Sequence, residues 1–147
     1  MTSFEKLYSA FLKRVEDDDW DDINNLEDYK AHWQEYLMAA ITNFKFPRVS
    51  LDINDEGDGF IGDLTNAEIQ ILADYMKVEW LHSNIMTWEK IKTDYSEADF
   101  SQANLLKQLD TTYITARDVA KKRESNYYRS VNGKPFEYRK LAGDTND

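Results

Sequence analysis

The chain of 147 residues reads as an all-α fold: a bundle of four to five helices with a C-terminal β-hairpin or extended arm. Three observations predict this. Apolar residues recur at helical spacing over long stretches. Glycine and proline are scarce, at 5 and 2 residues, which suits helices better than a turn-rich β-protein. Near the C-terminus, Asn132-Gly133 lies between aromatic and β-branched residues, which is a strong short-range hairpin signal.

The first stripe is Phe4, Leu7, Tyr8, Phe11, Leu12 and Val15, so one helical face is buried. Thr2 and Glu5 have capping-box spacing at its start. It stops in the acidic run Glu16 to Asp22, which only Trp20 interrupts. The second stripe carries Leu26, Tyr29, Trp33, Tyr36, Leu37, Ala40, Ile41 and Phe44. Pro47 closes it, because the residue before a proline is pushed out of helical space. Residues 47–64 read as an irregular loop holding Gly57, Gly59 and Gly62.

The third helix has the clearest start. Thr65 and Glu68 fit a capping box ahead of Ile69, Leu72, Ala73, Met76 and Trp80. Ile71, Tyr75 and Val78 widen its apolar arc, which places the helix centrally in the fold. Ile85, Trp88 and Ile91 continue the pattern past Ser83-Asn84, a kink candidate. Residues 94–101 read as a connection. The last helix carries Leu105, Leu106, Leu109, Tyr113, Ala116 and Ala120, and its end at Lys121-Lys122-Arg123 complements the helix dipole.

The expected organisation is therefore a helical domain over 1–124 and an arm over 125–147. In the arm, Tyr127, Tyr128, Arg129, Phe136, Tyr138 and Arg139 are the candidate interface residues, since Tyr and Arg are favoured anchors at protein contacts. Pro135 cannot donate to a ladder and restricts its strand to an edge. An isolated two-stranded hairpin is marginal in water, so the arm must pack on its own bundle or on a neighbour.

Net charge is −10 and unevenly spread. From Lys121 to Asp147, seven basic residues oppose four acidic ones, giving +3 and leaving −13 for residues 1–120. An acidic body repels phosphate backbones, which argues against sequence-specific DNA reading and against base stacking by the aromatic tail. Aromatic residues at 14% argue against disorder. With no cysteine there is no disulfide, thiolate metal site or thiol nucleophile. The first residues lack the charged and apolar regions of a signal peptide, and no run approaches the ~20 apolar residues that span a bilayer, so no membrane association is expected.

Asp52 to Asp63 partly matches a calcium loop, with Asp52 and Asn54 at the first and third positions and Gly57 at the turn. It departs at Glu56, at Asp63 in place of the bidentate Glu, and in lacking flanking helices that start within the loop. The two readings are a calcium-responsive interaction module and a solvated acidic loop. His32 and His82 form no i, i+4 pair, which leaves a zinc site without ligands. No phosphate-binding glycine loop or nucleophile elbow is present, so the sequence offers no catalytic residue and no cofactor site.

Three segments carry a resemblance. They are Tyr36-Leu37-Met38-Ala39-Ala40-Ile41-Thr42-Asn43-Phe44, the stretch Leu64 to Leu81, and Asp99 to Leu109. Together they resemble the head–tail connector, or neck, proteins of tailed bacteriophages that infect Gram-positive hosts, over roughly residues 30–124. The resemblance implies a helical, non-enzymatic homo-oligomer located in the virion neck and assembled in the host cytoplasm. It also implies a ring, commonly of twelve copies, between the portal protein and tail-side neck proteins, with DNA passing through its channel.

Overall fold

The computed structural model describes residues 1–15, 26–94, 100–131 and 134–135; side chains are described for all of these except 26–28, 88–94, 100–106, 131, 134 and 135. Four helices account for most of the described residues: α1 (Phe4–Leu12), α2 (Leu26–Asn43), α3 (Asn66–Asp94) and α4 (Phe100–Tyr128). The fold is mostly helical, as the periodicity predicts. The acidic run 16–22 and the connection at 95–99 lie outside the described residues.

Helix α3 is the axis of the molecule and packs against α1, α2 and α4. Ile71, Leu72, Ala73, Tyr75, Met76, Val78, Leu81 and Ile85 are all buried, an arc too wide for a helix with one open face. It passes unbroken through Ser83-Asn84. Its start follows the predicted cap: the Thr65 N–H donates to Glu68 Oε1 at 3.3 Å, and the Thr65 hydroxyl donates to Glu68 Oε2. Helix α2 buries Trp33, Leu37 and Ala40 one to two turns apart. It ends at Asn43, ahead of Pro47, and the Phe44 N–H still donates to the Ala40 carbonyl at 3.0 Å. Helix α4 lays Ala116, Ala120, Glu124 and Tyr127 along α3, the two alanines allowing close approach.

Two expectations are corrected at the N-terminus. Thr2 is not the cap of α1; Ser3 is, in extended conformation and without a side-chain bond. Thr2 instead belongs to a short strand, β1 (Thr2–Ser3), antiparallel to β2 (Gly59–Phe60). Its hydroxyl donates to the Gly62 carbonyl at 3.0 Å and accepts from the Leu64 N–H at 2.9 Å. The supposed loop 47–64 thus contains a hairpin. Ile53 bridges to Phe60, and the Asn54 N–H donates to the Gly59 carbonyl at 2.9 Å. Phe60 is fully buried, and its ring meets Phe4 edge-on at 5.1 Å. Gly59 is required by close approach: a Cβ there would stand 2.7 Å from the Thr2 carbonyl oxygen.

A third correction concerns the end of α4. The helix runs to Tyr128, one turn past the expected end at Glu124. Beyond it, β3 (Ser130–Val131) lies antiparallel to β4 (Lys134–Pro135). Asn132-Gly133 and everything after Pro135 lie outside the described residues.

Candidate protein-interaction site

The segment leaving α2 is strapped across the last turns of α4. Three of its backbone donors find side-chain acceptors there. The Lys45 N–H donates to Glu124 Oε2 at 3.2 Å, the Phe46 N–H to Tyr128 Oη at 3.1 Å, and the Arg48 N–H to Tyr127 Oη at 2.7 Å. Pro47 has no N–H to satisfy. Glu124 is buried because it is fully occupied: it also accepts from Tyr75 Oη at 2.6 Å and Tyr128 Oη at 2.5 Å. Burial, then the hydrogen bond to Glu124, pushes the Tyr128 phenol up to about 12 and raises Tyr75 further still. Burial likewise raises Tyr127.

Arg48 completes the attachment. Its guanidinium lies 4.3 Å from the centre of the Tyr127 ring, and Nη2 donates to the Tyr127 carbonyl at 2.6 Å and to the Ser130 carbonyl. The first carbonyl belongs to the last turn of α4 and the second to β3 just beyond it, so a cation from a distant part of the chain ties the helix end to the strand that follows.

The predicted interface residues therefore separate. Tyr127 is a core residue, 5% exposed, its ring edge-on to Phe44 at 5.4 Å. Tyr128 is 38% exposed and packs edge-on against Phe46 at 5.8 Å. Arg129 is exposed. Phe136, Tyr138 and Arg139 lie outside the described residues. Two surface residues that the sequence reading passed over join this site: Lys45, and Phe46, whose side chain is 71% exposed. The available signal was Phe46 itself, an apolar residue off the α2 stripe and next to a proline.

The acidic loop is a hairpin tip. Gly57 takes a left-handed φ of 75°, and its N–H donates to the Asn54 carbonyl at 3.1 Å. Asn54, at the third position of the supposed calcium loop, has its side chain engaged with Asp58: Nδ2 donates to Asp58 Oδ1 at 2.9 Å, and Oδ1 accepts from the Asp58 N–H at 3.1 Å. Asp52, Asp55, Glu56, Asp58 and Asp63 are exposed around it. Among the described residues, no three His, Asp or Glu side chains are grouped to hold a metal ion. His32 is exposed, 3.8 Å from Glu35, and His82 lies beside the Tyr113 ring at 5.8 Å.

A cleft of about 260 Å³ opens between α3 and α4, lined by Arg14, Asp74, Lys77, Thr112, Thr115 and Val119 among others. Its charged groups are largely spent on each other. Arg14 Nε donates to Asp74 Oδ1 at 2.8 Å, Arg123 donates to the other carboxylate oxygen, and Arg14 also reaches Gln70 and the Ala10 carbonyl. The triad fastens the end of α1 to α3 and α4. Among the described residues, no helix is long and apolar enough to cross a membrane.

Comparison with protein-family models, curated proteins and solved structures gives no match for this chain.

Proposed function

We propose that the chain is a structural subunit of a bacteriophage neck, one copy in a homo-oligomeric ring between the portal and the tail. The observation that carries the reading is where the resembling segments fall. Tyr36 to Phe44 forms the C-terminal half of α2 and the residue after it, and Leu64 to Leu81 leads into α3 and forms its first half. Asp99 to Leu109 covers the residue preceding α4 and the start of that helix. The similarity thus follows the helical frame rather than scattered surface positions.

The electrostatics supports a passive role toward DNA. An acidic body lining a channel repels the phosphate backbone, so DNA slides without sticking. Function lies in contacts between copies and with the portal and tail-side neck proteins, and the chain performs no chemistry. The C-terminal segment acts as an arm that begins with the β3–β4 pairing. Its root is fixed by Arg48, so the arm leaves the body at Ser130 rather than at residue 125.

Mass spectrometry of purified virions, followed by electron microscopy of the neck, tests this. The expected result is the chain in stoichiometric amount in a ring below the portal. Removal of residues 131–147 should leave the helical circular dichroism unchanged and abolish joining of tails to portal-bearing heads. Virions that lack the chain refute the reading.

A further inference from the structure

We propose that neighbouring copies meet through a basic aromatic patch on one subunit, built on Phe46 and Tyr128, and the acidic hairpin tip at Asp55-Glu56 on the next. The proposal rests on the ring reading for its biological setting, while its residues come from the two surfaces themselves.

The first surface is unusual for this chain. Phe46 is among the most exposed large apolar residues described, yet its N–H is bonded to Tyr128 and its ring packs against the Tyr128 ring. Lys45 and Arg129, the chain neighbours of the pair, are exposed, and the exposed Arg48 stacks on the adjoining Tyr127 ring. Glu124, the nearest described carboxylate, is buried and occupied by three donors. A fixed, exposed aromatic pair flanked by cations has the make-up of an interface hot spot.

The second surface is its complement. Asp55 and Glu56 are exposed at the turn, with Ile53, which bridges to Phe60, at 39% and Ile61, just after β2, at 62% exposure. Carboxylates around aliphatic side chains match cations around aromatic ones, so charge complementarity selects the hairpin tip of a second copy as the occupant. The surfaces are well separated on one molecule. The tip shares a hollow with Lys30 and Gln34 of α2, whereas Phe46 follows the end of that helix at Asn43. At 1.5 Å per residue this is roughly 15–20 Å along α2. A contact between two different patches is head-to-tail and propagates into a ring when its rotation closes.

Charge reversal on the full chain tests the contact. One variant carries Lys45→Glu with Arg129→Glu, the other Asp55→Lys with Glu56→Lys. None of these side chains takes part in the Arg48 clamp or the Asn54–Asp58 hydrogen bonds, and circular dichroism checks that both variants fold. Sedimentation velocity at low salt should show concentration-dependent self-association of the parent chain and monomers for each variant alone. An equimolar mixture should recover association, because both junctions then pair opposite charges. Phe46→Ser should weaken the parent's association by about thirtyfold or more. A parent chain that stays monomeric, variants that associate like the parent, or a mixture that stays monomeric each overturns the contact. Virion incorporation is measured separately, so the neck reading stands or falls on its own result.

Discussion

Replacing Arg48 by alanine tests whether the end of α4 is held by a residue some eighty positions earlier in the chain. Three contributions disappear. The half-buried bond to the Tyr127 carbonyl, at 2.6 Å, contributes about 1 kcal/mol net. The bond to the exposed Ser130 carbonyl contributes roughly half of that, and the 3.5 Å approach to Ser130 Oγ adds nothing countable. Stacking on the Tyr127 ring at 4.3 Å adds about 0.5 kcal/mol at this partly exposed site. The favourable charge at the helix end overlaps with the two carbonyl bonds and is not counted again. The expected loss is about 2 kcal/mol, which moves a urea midpoint by roughly 1 M at an m-value of about 2 kcal/mol/M. Arg48→Lys keeps the charge and loses the fork, so it should recover no more than about half of the loss. Amide exchange at residues 127–130 should rise in the alanine variant well beyond the global change. A loss under about 0.5 kcal/mol, or unchanged exchange at these amides, refutes the clamp.

Three further outcomes follow from the packing and the titrating groups. Phe60→Ala removes a fully buried ring from the junction of β1, β2 and α1 and should cost about 3–5 kcal/mol, read as a shifted urea midpoint. Asp74→Asn leaves Arg14 and Arg123 facing a neutral amide. Arg123 is nearly half exposed and can return to water, so the cost should be about 2–3 kcal/mol rather than the full penalty of a broken buried pair, and Arg14→Met should couple to it more strongly than Arg123→Met in a double-mutant cycle. Burial, with Glu5 adding to it, pushes the Tyr8 phenol to about 12, and burial with the bond to Glu124 does the same for Tyr128. Both values are raised above the unfolded one near 10, so the native state holds protons the unfolded state has lost; thermal stability should be level up to about pH 10 and fall between pH 10 and 12.

The long helices were legible because each carries its own period over several turns. The capping-box spacing of Thr65 and Glu68 marks the start of α3, and the Thr65 N–H bonds the Glu68 carboxylate there. What the sequence pattern leaves out depends on contacts between distant residues. Strands β1 and β2 are two residues each, too short for an alternating pattern, and their pairing spans more than fifty positions. The apolar pair Phe60-Ile61 between Gly59 and Gly62 was the local trace of it. The end of α4 was misplaced for a different reason. The basic run Lys121-Lys122-Arg123 reads as a helix end, yet Ala116, Ala120, Glu124 and Tyr127 form one buried stripe that continues past it, with a carboxylate at position 124. Only the Tyr128 phenol one turn on, together with the Tyr75 phenol and the Lys45 N–H from two other segments, makes a carboxylate acceptable there. Tyr127 was therefore assigned to an exposed arm when it belongs to the core.

The restraint on Phe46 gives a prediction that separates assembly from stability. An exposed aromatic side chain makes an efficient anchor when its position is already fixed, because less freedom is lost on contact. Here the fixing comes from Tyr128, whose oxygen accepts the Phe46 N–H while its ring supports the phenyl face. Tyr128→Phe keeps the ring and removes the acceptor. The exposed Phe46 amide can turn to water, and Glu124 keeps Tyr75 and the Lys45 N–H, so the stability cost should be about 1 kcal/mol or less. Association between copies should weaken by roughly fivefold or more, since the anchor must be ordered at the moment of contact. Parallel measurement of the urea midpoint and of the self-association Kd by sedimentation gives both quantities. If Kd is unchanged while the midpoint falls, Tyr128 serves the fold alone and Phe46 is not the anchor. If Kd weakens with the midpoint nearly fixed, the strap positions a binding residue, which explains why an acidic body keeps a phenylalanine pinned at its surface.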